Sequence, residues 1–474
     1  MVEGTQFESP LAARYASKEM IRIFSGESRY SMWRKLWIAL ARAQKNLGLP
    51  IRAEQILAME KKIHDIDFTR ADYYEKQLGH DVMAHVHAFM DVCPEAKGVI
   101  HLGATSCFIT DNTDLLLMRE GLKLIKNKLL DTIRKLSAQA ERYADLPCLG
   151  YAHFQTTQPT TVGKRICLWL QDLLLDFQEI STKLDNIPFL GAKGVCGTQA
   201  SFLQLFDRDA EKVKRMEKMI AEEMGFTRTL TITGQSYTRK YDVAIVHSLA
   251  SLAVSAHKFA TDLRLLANKK EMEEPSSVKQ ASLYRKPPNR AERICGIARF
   301  LCSLEENPVY TASLQWMERT LDDSSNRRIV LPGAFLAADA ILNLYNYIAS
   351  DLVVYPKIIE AHVKEELPFL ALDVLCAAAV SRGLDKQVAA DTLSHHVQEV
   401  VKKWKEEGVK EDLQTRIEQD KTLGFSHLEL SEILTPSFFI GRASDQVREF
   451  LHYEVTPLLK RYEQVQGYRL NIEI

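Results

Sequence analysis

The sequence predicts an all-α protein in three parts: an N-terminal helical cap over residues 1–105, a central long-helix bundle over 106–354 and a C-terminal helical cap over 355–474. Three observations carry this. Apolar residues recur three and four apart over unusually long windows, the spacing of one helical face. The segments between these windows are long, polar and rich in Gly, Thr, Gln, Ser and Arg, as ordered functional loops are. No repeat of solenoid length is visible, which leaves a bundle as the way to bury the apolar faces.

Each long element has its own signal. Leu115, Met118, Leu122, Ile125, Leu129, Ile133 and Leu136 form one stripe, with Asp111 or Asn112 as the expected cap and an end near Ala144. A second helix is expected from Lys164 to Ile187, stopped by Pro188. A third fills Lys240–Lys270, and a fourth starts near Arg290. A fifth is expected from Pro332, read as a first-turn proline, to Val354. The runs "CLWLQDLLLDF" and "ASLAVSAHKFA" are apolar on several sides, so these helices are expected to pack against other subunits as well as each other.

Composition narrows the function. With 474 residues, 46% of them hydrophobic, the chain can bury a large core. Its 61 basic and 62 acidic residues leave a net charge of −1, which argues against nucleic-acid or membrane-surface partners. No apolar run approaches the ~20 residues of a membrane span. The eight cysteines form no CxxC pair and read as reduced thiols, and no basic stretch followed by an apolar run opens the chain. A cytoplasmic location is expected.

Five polar motifs stand between the helices. "GHDVMAHVH" carries His80, Asp81, His85 and His87 at spacings that do not match the i,i+4 pair of a zinc helix, so no metal site is expected and a helix start is the plain alternative. "HLGATSC" sets Gly103, Thr105 and Ser106 before the first long helix, where capping is the favoured role and carboxylate binding the other. "YAHFQTTQPTTVGKR" puts His153 in a polar loop, and "TITGQSYTRK" holds Gln235 and Arg239. "ERTLDDSSNRR" holds Arg319, Ser324 and Arg328, either a phosphate clamp or a salt-bridge network with Asp322 and Asp323.

Together with "LAARYAS", "GTQASFLQLF", "LLANKKEMEEP" and "FIGRASDQV", these motifs are far more specific than any one of them. From about Leu11 to Tyr462 the chain resembles the fumarase/aspartase superfamily and, within it, the eukaryotic-type adenylosuccinate lyases. The resemblance implies a cofactor-free lyase that eliminates fumarate from adenylosuccinate, giving AMP, and from SAICAR, giving AICAR. It implies a homotetramer with a shared helical core and active sites built from three chains. It assigns His153 as the general acid, paired with Glu292, and His80 as an assistant near the leaving group. Asp81 falls with the substrate-binding residues. Thr105, Ser106 and Gln235 would bind the succinyl carboxylates, and Arg293 the succinyl or nucleotide side. Arg14, Tyr15, Arg319, Ser324 and Arg328 would hold the phosphate.

The chain departs from the family in the signature loop, where a serine is the general base. Aligned from "RAER", Lys279 and Gln280 stand on the serine positions, Arg285 on the lysine position and Pro287 on the asparagine position. Ser276, Ser277 and Ser282 are the nearby hydroxyls, all out of register, with Ser282 the first candidate base and Ser277 the second. Lys286 and Asn289 are possible displaced substitutes. Gly79 precedes His80 where an arginine is usual, and Ala152 precedes His153 where a threonine is usual. Three readings stay open on this evidence: a working lyase with a rearranged loop, an impaired homologue that keeps nucleotide binding and tetramer assembly, or a segment that differs from the natural chain. Residues 276–289 are expected to close over the substrate, excluding water.

Overall fold

Five long helices carry the architecture: α1 (Ser106–Arg142), α2 (Val162–Asn186), α3 (Lys240–Asn268), α4 (Asn289–Leu304) and α5 (Asp322–Ser350). They come from a computed structural model that describes residues 8–275 and 286–465. The helices close a ring, each packed on the next and α5 returning to α1, while α3 and α5 also pack on each other. Each of those two therefore meets three neighbours, which is why they are apolar on several sides.

α1 starts at Ser106, earlier than Asp111 or Asn112, because both side chains are committed elsewhere. Asp111 is buried against Arg239, and Asn112 bonds the backbone of Leu190 and Gly191. The helix thus begins one and a half turns early, and no side chain caps it. α5 likewise starts ten residues before the expected Pro332, at Asp322, so that proline is inside the helix. Asp322 and Asp323 in the first turn suit the positive end of the helix dipole. Pro332 costs only the one bond that the Arg328 carbonyl would accept.

The polar loop expected around His153 is a two-stranded antiparallel hairpin, β1 (Pro147–Ala152) and β2 (Gln155–Thr161). Thr156, Thr157, Thr160 and Thr161 are the β-branched residues that favour it, and a register shift accommodates the strand beside Pro159. Thr161 then caps α2, accepting the Lys164 N–H at 3.2 Å. At Gly163 a Cβ would lie 2.5 Å from the Ala140 carbonyl, so only glycine lets the first turn of α2 lie this close to the end of α1.

Residues before α1 share the bundle's core. Helix Gly26–Asn46 lays Trp33, Leu36, Trp37 and Leu40 into it. A second core forms among the C-terminal helices from Leu367, Leu375, Leu393, Ile417 and Leu430. Helix Pro356–Leu370 joins the two, with Ile359 and Val363 in the first and Leu367 in the second.

Two histidines in the N-terminal part have pH consequences. Burial, and for His85 also Arg34, pushes both His85 and His101 down to about 4. His101 Nδ1 accepts the Trp37 indole N–H at 3.0 Å, which requires the neutral ring. His85 stacks on Tyr30 with ring centres 3.8 Å apart. Folded rings that stay neutral lose stability to an unfolded chain that protonates near 6.5, so stability is held above ~6.5 and lost as pH falls toward 4. Below both values each ring has cost the fold on the order of 3 kcal/mol. Thermal melts should show a falling midpoint across that window, and His101→Gln should remove about half of the slope. A midpoint flat from pH 7 to 4 would reject this.

Candidate active site

His80 occupies the cap position of helix Asp81–Val92, where its Nδ1 accepts the Met83 N–H at 3.3 Å. In the neutral ring the proton is then on Nε2, which lies 3.2 Å from the Ser106 hydroxyl. So His80 caps a helix with one nitrogen and presents the other to the start of α1. Thr105 stands at the α1 cap position without a side-chain cap bond, and Ser106 faces His80, which corrects the capping role favoured for both. Gln235 reaches the same place: its Oε1 accepts from Cys107 Sγ at 3.6 Å, and its N–H is held by the Glu318 carbonyl at 3.0 Å. At Gly234 a Cβ would come within 2.4 Å of that carbonyl oxygen, so the two loops touch backbone to backbone.

Arg319 follows directly, with Ser324 and Arg328 on the first turns of α5 and not in a loop. Arg328 pairs with Asp81, and Arg319 with Asp323 at 2.6 Å. Asp81, Arg319, Ser324 and Arg328 border a cavity of about 250 Å³ that Arg29, Tyr30 and Thr110 also line. Under it lies a buried lattice. Arg239 bridges Asp111 at 2.9 Å and Asp323 at 2.6 Å, and Arg327 bridges Asp114 at 2.9 Å and Asp242 at 2.7 Å. Tyr237 joins in by donating to Asp242 at 2.5 Å. Burial alone would raise the carboxyls of Asp114 and Asp323. Arg29 and Arg327 around the first, and Arg239 and Arg319 around the second, outweigh it and hold both below the usual range. Asp323 thus belongs to the salt-bridge network weighed from the sequence, alongside a cationic rim that remains suited to phosphate.

Arg14 and Tyr15 lie elsewhere. They sit on a short turn, Leu11–Tyr15, tied to α5 where Asn343 donates to the Tyr15 carbonyl at 3.4 Å. Asn343 is fifteen residues past Arg328 on one helix, or roughly 22 Å along its axis.

His153 is farther still. The hairpin follows the C-terminal end of α1, 37 residues and roughly 55 Å from Ser106. His153 and Phe154 form the hairpin tip, with φ of +54° and +58°, as a two-residue type I′ turn needs. Both are exposed. Glu292 and Arg293 lie in the first turn of α4, whose start is held by Glu274 accepting the Arg290 and Ala291 N–H groups. This is the same end of the bundle, since Glu271, three residues before Glu274, bonds Tyr151 of the hairpin at 3.4 Å. Among the described residues no hydrogen bond or ion pair joins His153 to Glu292. Ser276, Ser277, Lys279, Gln280, Ser282 and Arg285 lie outside the described residues. Lys286 is held 3.4 Å from Glu273, and Asn289 is the first residue of α4.

One chain therefore presents three separate groups: His80 with Asp81, Thr105, Ser106, Gln235, Arg319, Ser324 and Arg328; Arg14 with Tyr15; and His153 with Glu292 and Arg293. Sequence reading did not pick out Tyr151, Glu271 or Asp114, which support the first and third groups from beneath. Their only sequence signal is a charge or hydroxyl beside a motif, and many surface residues share it.

The fold defines the class. A solved 3-carboxy-cis,cis-muconate lactonizing enzyme from Pseudomonas putida superimposes with a TM-score of 0.80 over 93% of this chain and 97% of that one, at 23% identity. A family model described as "Lyase" matches residues 13–282, over half the chain. The protein named adenylosuccinate lyase in Saccharomyces cerevisiae is 45% identical over 98% of both chains, and that of Schistosoma mansoni is 43% identical over all of both. The chain belongs to the adenylosuccinate lyase family.

Proposed function

We propose that this chain is a working adenylosuccinate lyase, eliminating fumarate from adenylosuccinate to give AMP and from SAICAR to give AICAR. The full-length identity to the yeast protein carries this reading. The rim of Arg319, Arg328 and the Ser324 hydroxyl supports it, with hydroxyls and an amide beside it at the start of α1 for carboxylates.

The chemistry asks for few groups. A proton leaves the carbon beside a carboxylate, the C–N bond breaks, and the departing nitrogen takes a proton. His153 is the general acid for that nitrogen, and Glu292 of a neighbouring chain fixes its ring, since the two do not bond within one chain. Thr105, Ser106 and Gln235 bind the carboxylates and stabilise the charge that develops as the proton departs. His80 assists near the leaving group, and Arg293 binds beside the succinyl or nucleotide part. Arg14, Tyr15, Arg319, Ser324 and Arg328 hold the phosphate, with Asp81 beside them. That remote grip orients the reacting carbon. The general base belongs to the 276–289 loop, with Ser282 first and Ser277 second. None of these steps calls for a cofactor or a metal.

The site so assigned needs more than one chain, because its parts lie tens of ångströms apart. We therefore propose a homotetramer, with the division at residues 105 and 354 separating its caps from its core, working in the cytoplasm. Exposed apolar side chains on the bundle support this. Leu168 and Leu175 on α2 are 50% and 64% exposed, and Ile329 on α5 is 73% exposed. Residues seven apart on a helix share a face, so the two leucines form one strip for a neighbour. The test is fumarate release from adenylosuccinate, with sedimentation of the same sample. Release by a tetramer is expected. AMP binding without release would reject the activity, and an active monomer would reject the shared site.

The phosphate assignment has its own test. Arg319→Ala should weaken AMP binding by about 1–3 kcal/mol, the scale of a hydrogen bond to a charged group. Calorimetry showing unchanged affinity would leave Arg319 as a partner of Asp323 alone.

A further inference from the structure

The hairpin that ends in His153 is held from below by a fully buried carboxylate. Tyr151, two residues before His153, donates its hydroxyl to Glu271 Oε1 at 3.4 Å. His362 Nδ1, on helix Pro356–Leu370, lies 2.9 Å from the same oxygen. Arg165 of α2 donates to the Leu149 carbonyl on β1 at 2.5 Å, and its other amino group is 3.9 Å from Glu271 Oε2. Glu271 is 0% exposed, and Oε2 has no hydrogen-bond partner among the described residues. Its backbone is pinned as well, to Leu266 at the end of α3 and to Tyr355. One side chain thus gathers the hairpin, α2 and the first C-terminal helix.

The hairpin tip needs such support. Left-handed backbone is unfavourable for a residue with a Cβ, and the tip has two in succession, neither of them glycine or asparagine. Such conformations persist only where the surroundings over-determine them. Lys269 adds to this from α3's end, with its ammonium 4.8 Å from the Tyr151 ring centre and 5.7 Å from that of Phe154. Because His153 is exposed and at the tip, the seating of the strands beneath it sets where its ring points.

We propose that Glu271 is a positioning residue for His153, acting through Tyr151 and Arg165 to seat the hairpin at the angle that catalysis requires. The inference rests on the reading of His153 as the general acid. A displacement of about 1 Å in a catalytic group costs on the order of 10²-fold in rate. Glu271 touches no reacting atom in this assignment, and the phosphate-binding side chains lie at other places on the bundle.

The test uses the full chain with Glu271→Ala, Glu271→Gln and Tyr151→Phe. Glu271→Ala should lower kcat for fumarate release by about 10²-fold while the AMP dissociation constant stays unchanged. Amide hydrogen exchange across residues 149–157 should accelerate in the same variant, since local opening reports the lost anchor. Glu271→Gln keeps an acceptor for Tyr151 and should fall between the two; with Tyr151→Phe it carries the test if the alanine variant does not fold. Parental kcat together with parental exchange in the folded variants overturns the proposal. A loss of AMP binding in step with kcat also overturns it, because that marks a general structural role. Should the parent chain release no fumarate, the functional reading fails separately, and the exchange measurement alone decides whether Glu271 seats the hairpin.

Discussion

His153→Ala should lower fumarate release by about 10²–10⁴-fold, the range that a general acid contributes. AMP binding should persist, because the residues proposed to hold the phosphate lie on other parts of the bundle. The geometry supplies a control that separates chemistry from folding. His153 adopts a φ of +54°, where asparagine is one of the few residues other than glycine that is tolerated. His153→Asn should therefore fold at least as well as the parent and yet be as slow as the alanine variant. Near-normal turnover in either variant, followed by fumarate absorbance, would remove His153 from the acid role.

Arg239→Ala should destabilise the protein by roughly 3–5 kcal/mol, the cost of leaving a buried charge without its partner. Arg239 is about 2% exposed and holds Asp111 on α1 and Asp323 on α5 in one fork. Removing it leaves two buried carboxylates facing each other across a void. Arg239→Lys should recover only part of the loss, since a single ammonium cannot span both acids as a planar guanidinium does. Nucleotide binding should weaken in both variants, because Asp323 also orients Arg319. Urea denaturation gives the comparison, and a loss under 1 kcal/mol would show that the lattice contributes little to the fold.

Much of the fold was legible beforehand for a simple reason. A stripe such as Leu115, Leu122, Leu129 and Leu136 repeats at the helical period, and nothing but a helix buries it on one side. The first long helix follows from such a stripe, and the others from apolar runs and the prolines that bound them. Their first residues do not. Asp111 and Asn112 look like caps in isolation, yet the folded chain commits one to Arg239 and the other to the Leu190–Gly191 backbone. Pro332 looks like a first-turn proline until Asp322 and Asp323 extend the helix before it. The hairpin under His153 was hidden because a threonine run interrupted by Pro159 reads equally well as loop.

The sequence by itself determined the helical class, the periodic faces and, through motif resemblance, the lyase family. Those are local properties, set by spacing and residue type within a few turns of chain. Only the tertiary structure decided which motifs share a place. It put His80 and Ser106 within 3.2 Å across 26 residues of chain, and seated Gln235 against Cys107 from 128 residues away. It tied Tyr15 to Asn343, roughly 22 Å along α5 from Arg328, and set His153 at the opposite end of α1 from Ser106. Rigid helices of this length fix such separations, since a side chain extends only a few ångströms from a rod of roughly 55 Å.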